Sequence, residues 1–233
     1  TLTLLNGPQD QIAVCREFYM SSAPKKNVTA AEYLLAERAS STRHFFYQGE
    51  TYAMAGASRE HSRIALNFGS VLNQLFSQRP CEAFVADMRV KNVRTGSYFY
   101  PDIVATCEAL KFENDNFDSL INPQVIIEVL SKSTEKFDRG LKFEDYQKLT
   151  SLKEYVLISQ DRLHVERFTR KSESTWEYWS SNDPGDALVL ASIDCEIRLA
   201  EIYSKVKFPP PETNDEDGSL KVIEEKASFL PTR

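Results

Sequence analysis

The segment that decides the fold is residues 124–149, QVIIEVLSKSTEKFDRGLKFEDYQKL. It opens as a strand in which Val125, Ile126, Ile127, Val129 and Leu130 put apolar side chains on both faces. A strand apolar on both faces is central and covered on each side. Glu128 interrupts that run. Burying an unpaired carboxylate costs several kcal/mol, a large share of a domain's stability, so a basic partner, a proton or a cation must accompany it. Downstream the pattern becomes helical, and Asp138, Lys142 and Tyr146 recur at every fourth position. Residues four apart share a helix face. Gly140 weakens a continuous helix, since glycine costs ~1 kcal/mol in a helix interior. A helix that begins only near Leu141 still keeps Lys142 and Tyr146 together, and Asp138 is kept as a supporting residue whose place on that face Gly140 puts in question.

Working outward, strand patterns cover 83–90 and 98–107 before this segment, and "EYVLIS" (154–159) after it. "HSRIALNFGSVLNQLF" (61–76) carries apolar residues at helical spacing. The order helix, three strands, helix, strand implies an α/β layer with a crossover connection. "LHVERFTR" and "TWEYWS" read as a further hairpin. Nearer the start, Thr29-Ala30-Ala31-Glu32 is a capping box for a helix to about Ala39. "HFFYQGETYAMAG" reads as two short strands around Gln48-Gly49. Residues 1–27 read as an arm with one short helix, 28–207 as the domain, and 208–233, with "PPPETNDEDGS", as a flexible acidic, proline-containing tail.

The 233 residues are 42% apolar and 27% charged, the balance of an ordinary soluble domain. No run approaches the ~18 apolar residues of a membrane span, and no signal peptide is recognisable, so the expectation is a cytoplasmic protein without a membrane partner. Cys15, Cys81, Cys107 and Cys195 are widely spaced and form no metal or redox motif. They are expected to be buried thiols in a reducing compartment. A net charge of -6 argues against coating DNA without regard to sequence, though a local basic patch remains compatible with acting on nucleic acid.

Pro101-Asp102 lies within a strand pattern, where proline marks an edge, a bulge or a strand start. Asp102 alone is compatible with a turn cap or an ion pair, and Glu128 alone with a buried salt bridge. Together, on neighbouring strands, they make a donor set for a hard divalent cation. His61 sits in the first turn of its helix, where it could accept a proton, bind phosphate or assist the cap. Asp87 alternates with Phe84, Ala86, Met88 and Val90, which directs it to solvent or to a cleft. Glu50 has the same ambiguity, and His44 and His164 carry no supporting pattern.

The segments "GETYAMAGASREHSRIALNF", "YPDIVATC", "IIEVLSKST" followed by "DRGLKFEDY", and "EYVLIS" together resemble the Uma-type family of restriction-endonuclease-like proteins in the PD-(D/E)XK nuclease superfamily. A lone Pro-Asp is weakly specific; this combination, spanning roughly 28–168, is strongly so. The resemblance implies an α/β restriction-endonuclease-like core with additional β-hairpins. It implies a metal-dependent DNA endonuclease that hydrolyses phosphodiesters with metal-activated water. Asp102 and Glu128 would ligate Mg²⁺ or Mn²⁺ with the carbonyl of Val129. The superfamily lysine two residues beyond the acid is Leu130 here, and Lys142 would replace it from the following helix. Tyr146 would orient Lys142 or support the helix; His61 and Asp87 fall on recurrent family positions. The alternative is a catalytically silent nucleic-acid-binding or assembly module on the same fold. Lys132, Lys136, Arg139, Lys148, Arg162, Arg167, Arg170 and Lys171 are candidates for a phosphate-contacting surface. A homodimer is expected, since two-fold pairing suits cutting both strands, with Trp176, Tyr178 and Trp179 as interface candidates.

Overall fold

The computed structural model describes residues 28–115 and 118–209, so the predicted arm and most of the predicted tail lie outside the described residues. Helix α1 (Ala30–Ala39) starts at the expected capping box, with both reciprocal Thr29–Glu32 bonds formed. Strands β1 (His44–Tyr47) and β2 (Glu50–Ala53) form the expected hairpin. Its turn uses Gln48 (φ 50°) and Gly49 (φ 77°), the paired positive φ of a tight hairpin. Helix α2 spans Arg59–Phe76.

The pattern over 83–90 resolves into two strands rather than one. β3 (Glu82–Val85) and β4 (Arg89–Lys91) belong to different sheets, separated by Ala86 at φ 66°. The pattern over 98–107 likewise divides into β5 (Tyr98–Phe99) and β6 (Ile103–Thr106), with Pro101 unable to donate to a ladder at the break. The two crossings between sheets run side by side, joined by Ala86 N–H donating to the Asp102 carbonyl at 2.8 Å. β7 (Ser119–Leu120) and β8 (Val125–Leu130) follow. The predicted helix is two short ones, α3 (Glu135–Arg139) and α4 (Leu141–Tyr146), hinged at Gly140. β9 (Glu154–Ser159), β10 (Val165–Arg170) and β11 (Trp176–Ser181) agree with the sequence patterns. The hairpin β12 (Ala187–Leu190) and β13 (Cys195–Arg198), and helix α5 (Leu199–Ile202), were not anticipated.

The larger sheet has the order β11-β10-β9-β8-β6-β3, and the smaller one β2-β1-β5-β4-β7. β8 pairs antiparallel with β6 and parallel with β9, the parallel pair being joined through α3 and α4. Alternation sorts β8's side chains. Val125, Ile127 and Val129 pack with Ile64, Phe68 and Leu72 of α2. Ile126 and Leu130 pack with Phe137, Leu141 and Tyr146 of the crossover. By the same period of two, Glu128 faces the crossover. The element order and sheet give a restriction-endonuclease-like α/β fold.

The reading of the cysteines as free thiols is corrected for two of them: Cys81 and Cys107 form a disulfide. The reason is register, since the pairing Glu82↔Thr106 continues to Cys81 opposite Cys107. Cys195 is free and buried, and Cys15 is outside the described residues. Among the described residues no helix is long and apolar enough to cross a membrane.

Candidate active site

A cleft of about 920 Å³ opens where the two sheets meet the N-terminal half of α2. Asp102, Glu128, Val129, Lys142, Asp138, His61 and Asp87 all line it. The structure therefore gathers the residues picked from sequence, apart from Tyr146, into or around one cavity.

The β6–β8 register, Ile103↔Ile127, carries on to Asp102 opposite Glu128. Asp102 is thus placed by the end of β6 and Glu128 by the middle of β8. The Asp102 carboxylate is fixed twice at Oδ2, by the Val129 N–H at 2.7 Å and by His61 Nε2 at 3.1 Å. His61 is brought there by the first turn of α2, where its N–H is capped by Ser58 Oγ at 3.0 Å. Burial alone lowers the imidazole pKa, but the bond and charge of Asp102, with the charge of Asp138, outweigh it and leave it raised.

Glu128 is 2% exposed. Lys142 Nζ lies 2.7 Å from its Oε1 and 3.0 Å from Asp138 Oδ1. The Tyr146 hydroxyl approaches the same Oε1 at 3.4 Å, so Tyr146 supports Glu128 from behind the cleft, within the core. The Glu128 carboxyl is raised to about 8, chiefly by burial; Lys142 opposes the rise, while Asp138 and Asp102 add to it. Asp138, the least secure member of the sequence pattern, does lie beside Lys142. The helix does break at Gly140, yet Asp138 and Lys142 still meet, because α3 and α4 bend at the glycine without separating those two faces. Tyr155 pins the turn by donating its hydroxyl to the Asp138 carbonyl at 2.9 Å.

Asp87 is on the cleft rim, 74% exposed at its side chain, and pairs with Arg43 at 3.2 Å. Glu50 accepts from Tyr52, His44 binds Glu37 and His164 binds Glu166, all away from the acidic centre. Several basic residues expected to meet phosphate are engaged within the fold instead. Arg139 pairs with Glu166 and Glu135, Lys171 pairs with Glu177, and Arg170 donates to the carbonyls of Gln147, Leu149 and Leu152.

Two residues that pattern reading passed over support the site. Asp145 is 1% exposed and its Oδ2 accepts from Asn92 (2.9 Å), Thr95 (3.2 Å) and Ser97 (2.5 Å). These bonds tie α4, which carries Lys142, to the β4–β5 hairpin. Asp145→Ala is expected to lower stability by about 2–4 kcal/mol, because two buried donors, from Asn92 and Ser97, lose their carboxylate acceptor; urea denaturation measures it, and a change below about 1 kcal/mol would refute the anchoring role. The second is Gln160, just past β9, whose Oε1 accepts from Ser58 Oγ at 2.5 Å.

Among the described residues no three His, Cys, Asp or Glu side chains are arranged to hold an ion by themselves. The set present is Asp102 opposite Glu128, with Asp138 close enough to raise the Glu128 pKa further. Oxygen donors in negative surplus suit a hard cation that takes one or two carboxylates and completes its shell with water and phosphate oxygens.

A family profile named Uma2, described as "Putative restriction endonuclease", matches residues 30–200. Two proteins of Synechocystis sp. are similar to this chain. One, sll1609, is 38% identical over 157 residues, covering 67% of this chain and 89% of its own length. The other, slr1290, is 30% identical over 190 residues, covering 80% and 97%. A crystal structure from Anabaena variabilis, described as a "putative nuclease belonging to DUF820", superposes with a TM-score of 0.64 at 19% identity, over 76% of this chain and 98% of that one. That likeness speaks to fold, and the profile to kinship. Matched across most of its described length, the chain belongs to the Uma2 family.

Proposed function

We propose that the protein is a metal-dependent DNA endonuclease. The observation that carries the reading is Lys142, delivered by α4 to within 2.7 Å of Glu128 in the cleft that Asp102 also lines. The strand position where the superfamily keeps its lysine is Leu130, buried in the core facing Phe137 and Leu141. A lysine from the crossover thus supplies the ammonium from the other side of the same carboxylate.

Asp102 and Glu128 would hold Mg²⁺ or Mn²⁺, with the Val129 carbonyl as a further ligand. Such an ion activates water and offsets charge at the phosphate under attack. Lys142 places a fixed positive charge where negative charge develops on the phosphoryl oxygens. The Val129 N–H and His61 hold the Asp102 carboxylate in one orientation, and Tyr146 does the same for Glu128. The neighbouring Asp138 holds the Lys142 ammonium aimed at Glu128.

In a supercoiled-plasmid assay, wild type is expected to nick with Mg²⁺ or Mn²⁺ and to stop on adding EDTA. Asp102→Ala and Glu128→Ala are expected to fall to background. Equal nicking by wild type and Glu128→Ala would sink the assignment. Binding without any nicking would favour the silent binding module. We further propose a two-fold homodimer. β11 is the edge strand of the larger sheet and Tyr178 on it is 54% exposed, whereas Trp176 and Trp179 lie beneath Arg170 and Arg167. Light scattering that shows a monomer at high concentration would remove the dimer.

A further inference from the structure

Among the described residues, the acids lining the cleft are Asp87, Asp102, Glu128 and Asp138, and Asp87 is the one that the arrangement above leaves unused. Lysine and arginine are represented on that wall by Lys142 and Arg43 alone. Lys142 is buried between Glu128 and Asp138. Arg43, just before β1, has a side chain about half exposed. A metal would offset Asp102 and Glu128, and Lys142 is already shared. Arg43 is then the accessible cation that a polyanionic strand meets on entering the cleft.

Two contacts give Arg43 one pose. Its Nε–H donates to Asp87 Oδ1 at 3.2 Å, and its guanidinium lies over the Tyr100 ring, 5.6 Å from the centroid. The ring is itself fixed, since Tyr100 is buried and its hydroxyl accepts from the buried Arg89 Nη1 at 3.0 Å. Both holders are tied to the acid pair. Tyr100 lies two residues before Asp102, and Asp87 follows Ala86, whose N–H donates to the Asp102 carbonyl at 2.8 Å. A guanidinium carries five N–H donors, and Asp87 takes the one on Nε. The two terminal amino groups form no hydrogen bond among the described residues. They leave a planar fork whose shape matches a phosphate. As a tie between surface segments, an exposed ion pair of this kind is worth little. As a pose for that fork, it lowers the freedom lost when an anion binds.

We infer that Arg43 grips a backbone phosphate of the DNA strand next to the phosphate that is cut, and that Asp87 is a positioning residue that aims it. This rests on the nuclease reading and gives that site a substrate contact. A fork on a phosphate holds the strand in place without reading its bases.

The test is plasmid nicking by the full chain with Mg²⁺, followed over a range of DNA and salt concentrations. Arg43→Gln is expected to raise KM about tenfold and to leave kcat within about twofold, as the loss of uniform binding does. Its slope of log KM against log salt should fall by about one, the share of one phosphate contact. Asp87→Ala removes a negative charge from the cleft, so charge balance alone predicts a lower KM. Loss of the pose predicts the opposite, a KM raised about threefold with the wild-type salt slope, because the arginine stays. Adding Asp87→Ala to Arg43→Gln should raise KM no further. Both single variants should unfold at the wild-type temperature, since the pair is exposed. A wild-type KM in Arg43→Gln, or a lowered KM in Asp87→Ala, would overturn the inference and leave the nuclease reading standing. A fall in kcat alone in Asp87→Ala would place Asp87 in the chemistry and overturn its positioning role. Wild type that nicks with neither Mg²⁺ nor Mn²⁺ would remove the nuclease reading and this contact with it.

Discussion

Lys142→Met is expected to reduce nicking by about 10²–10³-fold, the usual effect of removing a charge aimed at a developing oxyanion. It should also destabilise the fold by about 3–5 kcal/mol near neutral pH, because Asp138 stays buried without its counter-charge and Glu128 loses the donor at its Oε1. Both carboxylates contact Nζ within 3.0 Å and both are nearly inaccessible to water. Lys142→Arg separates the two effects. It keeps the positive charge, so much of the stability should return. Its planar fork has a different reach and shape, so activity should not. Urea denaturation beside a nicking time course reads all of this. A Lys142→Met chain that cuts at the wild-type rate would remove the lysine from the mechanism.

Glu128→Gln is expected to abolish cutting and yet stabilise the protein at pH 8. The folded-state carboxyl is raised from 4.5 to about 8, chiefly by burial. Between those values the folded chain keeps a proton that the unfolded chain has released, so wild-type stability falls as pH rises through the window. The amide does not titrate, so the variant should lack that fall. Its advantage should be small near pH 4.5 and reach the order of a few kcal/mol near pH 8. Thermal unfolding across that range is the measurement; a variant less stable than wild type at pH 8 would contradict it. Stability given up to keep an ionisable group in the core is a common mark of a working site.

Much of this was legible because β8 writes its environment into its composition. Apolar residues at 126, 127, 129 and 130 leave no exposed face for Glu128, so a carboxylate there demands a partner wherever the strand is placed. The spacing from Lys142 to Tyr146 told which face of the next helix would meet it. Asp138 was the least legible member, because a glycine break predicts a change of direction but not its size. Asp145 and Gln160 left no mark, since one is an acid among charged helix residues and the other a polar residue at a strand end. Only the tertiary neighbours, Asn92, Ser97 and Ser58, give them meaning. The Cys81–Cys107 pair is set by the β3–β6 register, which a separation of 26 residues conceals.

The parallel pairing of β8 with β9 has a consequence for the order of folding. Parallel neighbours cannot be joined by a tight turn; the chain must first travel back over the sheet. Here the returning path is α3 and α4, and it carries Lys142. Closing that short loop is therefore the same event that seals β8 beneath its second neighbour. The nascent chain is spared a stage in which Glu128 is sealed in before its counter-charge has arrived. The Asp102–His61 contact spans 41 residues and has no such guarantee. Of the two polar pairs, the one whose failure would be the more damaging to the core is the one that topology makes automatic.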